Sequence, residues 1–417
     1  MDIRALSRST LRLAKSGRSM PVRQTSKFQA VTLLVCAEIA AMSLWFVSAA
    51  VMPEMLKEAD VSPLRQGLLS SGVQAGFVIG ALAFAAIGLP DRFDPRRIFA
   101  LCAIAAGIIN LFLLVVPPGD SFAIAARVMT GLLLAGVYPV GMKIAVGWGT
   151  TDRGLLVGLI VGALTLGSAS PHLISWLGGA DWRSVVLVAS ALAAGGGALV
   201  LFSALGPHHA QAARLDFTAM ATAWTNRRIR LAYAGYLGHM WELYAMWAWV
   251  GAAAAASYAV TMDTASAQSL AKLTAFFAIA LGGLASIGAG AFADRYGKAE
   301  TTIIAMAASG SAAVATALSF GGPVEITFVL IVIWGIAIIP DSAQFSAIVA
   351  DSAAPDQAGS LMTFQTALGF ALTFLTVQAT PSLATAFGWP IVLAGLAIGP
   401  AFGILAMLRL MRVQQQI

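Results

Sequence analysis

The sequence predicts an all-α polytopic membrane protein of twelve transmembrane helices, arranged as two pseudo-symmetric six-helix bundles. Three observations predict it: a scarcity of charge, a row of twelve long apolar segments, and residue pairs that recur at an offset near 204. The 417 residues include only 25 Lys/Arg and 19 Asp/Glu, 11% charged against 59% hydrophobic, and the mean hydropathy is +0.83. So few charges cannot clothe a water-soluble protein of this size. A cytosolic enzyme, a disordered chain and a coiled coil are excluded, and lipid must solvate the apolar surface.

The apolar segments fall near 28–52, 66–89, 97–116, 121–148, 154–178, 183–205, 231–258, 272–293, 299–320, 326–350, 359–380 and 389–408. Each can cross a bilayer with some tilt. Backbone in lipid must satisfy its own hydrogen bonds, so each is a helix. The 41 glycines suit close backbone approach between such helices. Cys36 and Cys102 both lie in apolar runs and read as small core thiols rather than a disulfide or zinc framework.

Twelve spans place both ends of the chain on one side. Seven basic residues precede span 1 (Arg4, Arg8, Arg12, Lys15, Arg18, Arg23 and Lys27). Arg92, Arg96, Arg97, Arg153, Arg214, Arg227, Arg228, Arg230, Arg295, Lys298, Arg409 and Arg412 join them on the same side. The opposite side holds Lys57, Arg65, Arg183 and Lys272. Positive residues stay inside, so both termini are expected to be cytoplasmic. The net charge of +6 and the pI near 9.6 are then a topology signal, and no nucleic-acid partner is called for. The Arg- and Ser-rich stretch 1–27 has the composition of a transit peptide. It is read as a disordered cytoplasmic tail, with Met20 as an alternative start.

The repeat is carried by five ordered markers. Glu38-Ile-Ala-Ala-Met42-Ser-Leu-Trp45 in span 1 answers Glu242-Leu-Tyr-Ala-Met246-Trp-Ala-Trp249 in span 7, both E-x3-M-x2-W. Asp91-Arg92 answers Asp294-Arg295, Pro139 answers Pro340, Gly154 answers Gly359, and Trp182 answers Trp389. The halves are therefore 28–205 and 231–410, joined by a polar, basic linker at 206–230 and followed by a short tail at 411–417. Six spans per half make them parallel repeats about an axis along the membrane normal.

The loop after span 8, Gly290-Ala-Phe-Ala-Asp294-Arg295-Tyr-Gly297-Lys298, resembles the G-x3-D-R-x-G-R/K motif of the major facilitator superfamily. Its first-half copy, Gly88-Leu-Pro-Asp91-Arg92-Phe-Asp94-Pro-Arg96-Arg97, is degenerate. Arg127-Val-Met-Thr-Gly131 in span 4 resembles the family's R-x3-G motif. The antiporter signature of span 5 survives only in fragments (Gly167-Ser-Ala-Ser-Pro171), and the asparagines of the nitrate porters' span 5 are absent. The resemblance covers the chain after residue 27. It implies a secondary active transporter working by alternating access, with spans 1 and 7 lining a central cavity. It also implies that Asp91, Arg92, Asp294 and Arg295 lock and release helix ends.

Charge inside the membrane is costly, so intramembrane ionisable residues are functional candidates. Glu38 and Glu242 lie midway along spans 1 and 7. Helical spacing puts Met at i+4 and Trp at i+7 on the carboxyl's face, and His239 at i−3 extends that stripe in span 7. Glu38, Glu242 and His239 are the candidates for proton coupling. Arg127 joins them by the resemblance, whereas its residue chemistry alone also suits a clamp on backbone carbonyls. Trp45, Trp249, Tyr236, Tyr244, Met42 and Met246 are candidates to wall the cavity, although Met and Trp at helical spacing also serve as packing. Lys143 in one half and Asp341 in the other suggest a gate pair, the alternative being that Lys143 snorkels to the surface. His172 is read as a helix-packing residue.

No P-loop pattern occurs, so direct ATP driving is unsupported. No nucleophile–base pair or metal cluster suggests an enzyme, and no extra domain suggests a sensor. The expectation is a monomeric, proton-coupled carrier of a small organic solute, in the inner membrane if bacterial, needing no cofactor or metal. A small organic or inorganic anion is the alternative cargo.

Overall fold

The computed structural model describes residues 26–150, 152–178, 181–209, 215–354 and 356–414. The tail at 1–25 with Met20, the linker residue Arg214 and the Asp91 side chain lie outside the described residues. Eleven helices are long and apolar enough to cross a membrane. They are span 1 (Lys27–Glu58), span 2 (Pro63–Ile87), span 3 (Pro95–Leu114), span 4 (Ser121–Val146), span 5 (Arg153–Leu177), span 6 (Trp182–Val200), span 8 (Thr264–Tyr296), span 9 (Lys298–Leu318), span 10 (Val324–Ser352), span 11 (Ala358–Phe387) and span 12 (Trp389–Gln414). Span 7 is the unbroken 32-residue helix Arg227–Tyr258. At ~1.5 Å per residue it has ample length to span. Its tyrosines, tryptophans, His239 and Glu242 make it less apolar than the others.

Helix ends follow local chemistry. Ser26 and Gln29 form a capping box at the start of span 1. Asp94, Asp120, Asp181, Asn226 and Asp263 each cap the helix that follows them. Three spans are interrupted over three or more residues, and span 12 at the single residue Ala397. Span 1 breaks at 43–46 between Lys27–Met42 and Val47–Glu58. Span 4 breaks between Leu134 and Tyr138, and span 10 between Ala337 and Ser342. The latter two breaks adjoin Pro139 and Pro340, the repeat-related prolines, whose rings cannot continue the helical hydrogen-bond ladder.

Within the first half, spans 2 and 4, 3 and 6, 1 and 6, and 1 and 5 pack together. The second half repeats the scheme with 8 and 10, 9 and 12, and 7 and 12. The halves meet chiefly through spans 2 with 11 and 5 with 8. Gly131 of the R-x3-G motif lets span 4 lie directly on the span 2 backbone at Val73, where any Cβ would collide. Both ends of the described chain lie on one face of the bundle, here called the terminal face. The opposite face is the distal face.

Candidate functional site

The site begins at the break in span 1. Where the helix stops, the carbonyls of Leu44 and Trp45 lose their intrahelical donors. Arg127 supplies replacements: Nη2 donates to Trp45 O at 2.6 Å and to Leu44 O at 2.9 Å, and Nη1 donates to Asn110 Oδ1 at 2.9 Å. Asn110 in turn donates to Ser190 Oγ at 3.0 Å. Arg127 is fully buried. Spans 1, 3, 4 and 6 are thus tied by one planar cation, a task suited to the guanidinium fork. The carbonyl-clamp reading of Arg127 describes its observed contacts.

The clamped turn presents Trp45 and Phe46 to the other half. There the rings of Trp45, Phe46 and Phe77 meet Tyr244, Trp247 and Phe370. Centroid distances across the interface are 4.6 Å for Phe77–Phe370, 5.7 Å for Trp45–Tyr244 and Trp45–Phe370, 6.0 Å for Phe46–Trp247 and 6.1 Å for Phe46–Tyr244. Three rings from each half form an interlocked plug of buried aromatics.

The single stripe expected from Glu, Met and Trp at i, i+4 and i+7 does not form. In span 1 the break at 43–46 separates Trp45 from the helix that carries Glu38 and Met42. In span 7 the helix is continuous but its residues serve different neighbours. Glu242 Oε2 accepts from Ser309 Oγ at 2.9 Å (span 9) and Oε1 from Trp334 Nε1 at 2.7 Å (span 10). Trp249 Nε1 donates to Val377 O of span 11 at 2.9 Å. His239 Nδ1 lies 2.9 Å from Asp341 Oδ1, both buried. Asp341 therefore has a partner within its own half. Tyr236 packs on Gly369 and beside Phe345 and His239. Met42 packs on Gly167, and Met246 is buried in the core.

Glu38 is the counterpart of Glu242 but differs in its surroundings. It faces Gly141 of span 4 and Phe99 of span 3. It is wholly buried, and neither carboxyl oxygen has a hydrogen-bond partner among the described residues.

On the distal side of the plug the halves are tied by polar contacts that the sequence did not announce. Glu54 of span 1 and Lys272 of span 8 form a largely buried ion pair at 2.7 Å. Lys272 also donates to Ser175 O of span 5 at 3.3 Å, and Lys57 to Gln268 Oε1 at 2.9 Å. Gln378 of span 11 accepts from Ser71 Oγ and donates to Leu64 O of span 2, both at 2.9 Å. His172 lines a small cavity beside Lys272, with room for little more than a single water. Glu54 is hidden in the sequence because the apolar run ends near 52, whereas the helix continues to Glu58. Phe46, Phe77, Trp247 and Phe370 carry no sequence signal beyond hydrophobicity. On the terminal side Arg92, Asp294 and Arg295 are exposed, and Arg295 lies over the Tyr296 ring at 5.3 Å.

Two six-helix bundles thus meet at an aromatic plug, and comparison with known proteins identifies the fold. The profile of the Major Facilitator Superfamily matches residues 33–371. This chain belongs to that superfamily. Solved structures share the fold at low identity. The nucleoside transporter NupG is 15% identical, with TM-score 0.71 over 91% of this chain and 99% of its own. The E. coli xylose transporter XylE, in a partially occluded inward-open conformation, is 14% identical, with TM-score 0.69 over 92% and 96%. A bacterial homologue of the human lysosomal transporter Spinster is 14% identical, with TM-score 0.69 over 93% and 97%. No curated protein sequence matches the chain.

Proposed function

We propose that this superfamily member is a secondary active transporter that moves a small organic solute by alternating access, coupled to protons, with both termini in the cytoplasm. The observation that carries the proton assignment is Glu38. An ionised carboxylate buried without a donor costs several kcal/mol, so the group needs a proton to occupy its niche. Glu242, with a donor on each oxygen, is already satisfied and serves the second bundle as a structural acceptor. The Glu54–Lys272 pair and the Gln378 contacts hold the distal side shut. Breaking them while the terminal side closes would move the plug from one exposure to the other. A D-xylose–proton symporter, 12% identical with TM-score 0.71, is among the proteins sharing this fold, which favours symport.

The test is solute-driven proton movement in liposomes loaded with a pH-sensitive dye, scored against protein-free vesicles for a panel of neutral and anionic organic solutes. Glu38→Gln is expected to abolish the movement and Glu242→Gln to keep it. Unchanged proton movement in Glu38→Gln would overturn the assignment.

A further inference from the structure

Trp45 and Trp247 each bury an indole N–H that has no acceptor among the described residues. Both rings belong to the aromatic plug, one from each half, and both are 1% exposed. Among the described residues one other buried indole N–H, that of Trp182 outside the plug, also has no acceptor, whereas four indoles are provided for. Trp249 donates to Val377 O, Trp334 to Glu242, Trp148 to Ala204 O and Trp241 to Gly395 O. A buried donor left unmet is a net loss to the fold, and here two such losses sit together where the bundles must part.

Charge in the surroundings narrows what could meet them. Glu38 and Glu242 face neighbours within their own bundles. A buried cation, Arg127, is bonded to the Trp45 carbonyl itself. An aromatic enclosure can attract a cation through its ring faces. This one has a guanidinium behind one wall, and an ammonium would leave both indole N–H groups unmet. A flat ring carrying an acceptor satisfies every part: its faces take over the stacking that the six rings give up as the halves separate, and its acceptor takes the indole protons.

We infer that the plug is the solute site and that the solute is a flat aromatic ring bearing a carbonyl or carboxylate acceptor, neutral or anionic, held by the Trp45 and Trp247 N–H groups. This rests on the transport reading above and specifies its cargo.

The test uses the purified full-length chain in detergent, with thermal stabilisation titrated by four probes of similar size: benzoate, benzamide, benzylamine and cyclohexanecarboxylate. Saturable stabilisation is expected from benzoate, benzamide or both, and neither from the cation nor from the saturated ring. Trp45→Phe and Trp247→Phe keep a ring but lose the donor. Each is expected to weaken the apparent affinity roughly tenfold, the worth of one buried hydrogen bond. The exposed Trp224→Phe is expected to change nothing. Should one of the plug variants fail to fold, the other carries the test. Absence of stabilisation by either acceptor probe, equal stabilisation by cyclohexanecarboxylate or benzylamine, or wild-type affinity in a folded plug variant would overturn the inference. Binding in detergent needs no gradient, so the two readings fail separately. Selective ring binding without proton movement in liposomes sinks the transport reading alone. Proton movement driven by a non-aromatic solute, with no ring binding, sinks this one alone.

Discussion

Spans 1 and 7 begin from the same E-x3-M-x2-W pattern and end with different work. Span 7 runs unbroken for 32 residues, and its glutamate is held by a hydroxyl and an indole from its own bundle. Span 1 breaks just after the shared methionine, its exposed carbonyls are claimed by Arg127, and its glutamate is left without a donor. In the proposed reading, the duplicated fold keeps one copy of a polar residue as a structural tie and leaves the other to take up a proton. The asymmetry comes from neighbours: Ser309 and Trp334 surround Glu242, whereas Gly141 and Phe99 surround Glu38.

The difference between the two spans depends most heavily on Arg127. Arg127→Met removes the donors to Leu44 O, Trp45 O and Asn110, leaving carbonyls unmet where no water competes. Loss of roughly 3 kcal/mol or more is expected, read as a large fall in melting temperature. Arg127→Lys should recover only part of it, because one ammonium cannot span acceptors on two helices.

Next come the glutamates. Glu242→Gln turns one acceptor oxygen into an amide that faces a donor, at a cost of about 1–3 kcal/mol, with proton coupling retained. Glu38→Gln should leave melting unchanged or raised while coupling is lost. Opposite outcomes for the two variants would invert their assignment. Gly141→Ala probes the same niche from its other wall, since the added methyl would collide with Glu38 Oε2. It is expected to impair coupling as Glu38→Gln does, and Gly154→Ala, where the space is open, should not.

A smaller effect is expected at the distal closure. Lys272→Met leaves Glu54 unpaired and loosens the contact between spans 1, 5 and 8. Cysteine placed at Gln268 should label faster in that background than in wild type. The smallest effect is on pH stability. The Arg96 side chain holds the Asp94 carboxyl below the usual carboxylate range, and Lys27 does the same for Asp152. A carboxyl with a lowered folded value contributes stability above its unfolded value and loses it as pH falls through the folded one. Melting temperature should therefore decline as pH drops below about 4, and Asp94→Asn should shallow the decline.

Composition and periodicity were enough for the architecture, because a dozen long apolar runs and an internal repeat leave few alternatives. They gave Trp45, Tyr244, Glu38 and Arg127 as residues of interest without saying what they touch. The expected stripe fails at 43–46. An i, i+4, i+7 relation holds only in an unbroken helix, and Ser-Leu-Trp-Phe carries neither glycine nor proline to announce a break. The break is held by Arg127, 82 residues from Trp45 in sequence and adjacent only in the fold. Glu54 was lost for a simpler reason, a helix that outruns its apolar stretch, and the Asp341–His239 pair because partners within one bundle and across bundles look alike in a sequence.

The central claim is that Glu38 carries the coupled proton and Glu242 does not. Infrared spectroscopy of the purified protein at neutral pH tests it directly, through the carbonyl stretch of a buried protonated carboxyl. The band should be present in wild type, lose intensity in Glu38→Gln and persist in Glu242→Gln. A band unchanged in Glu38→Gln, or one lost with Glu242→Gln, would contradict the assignment.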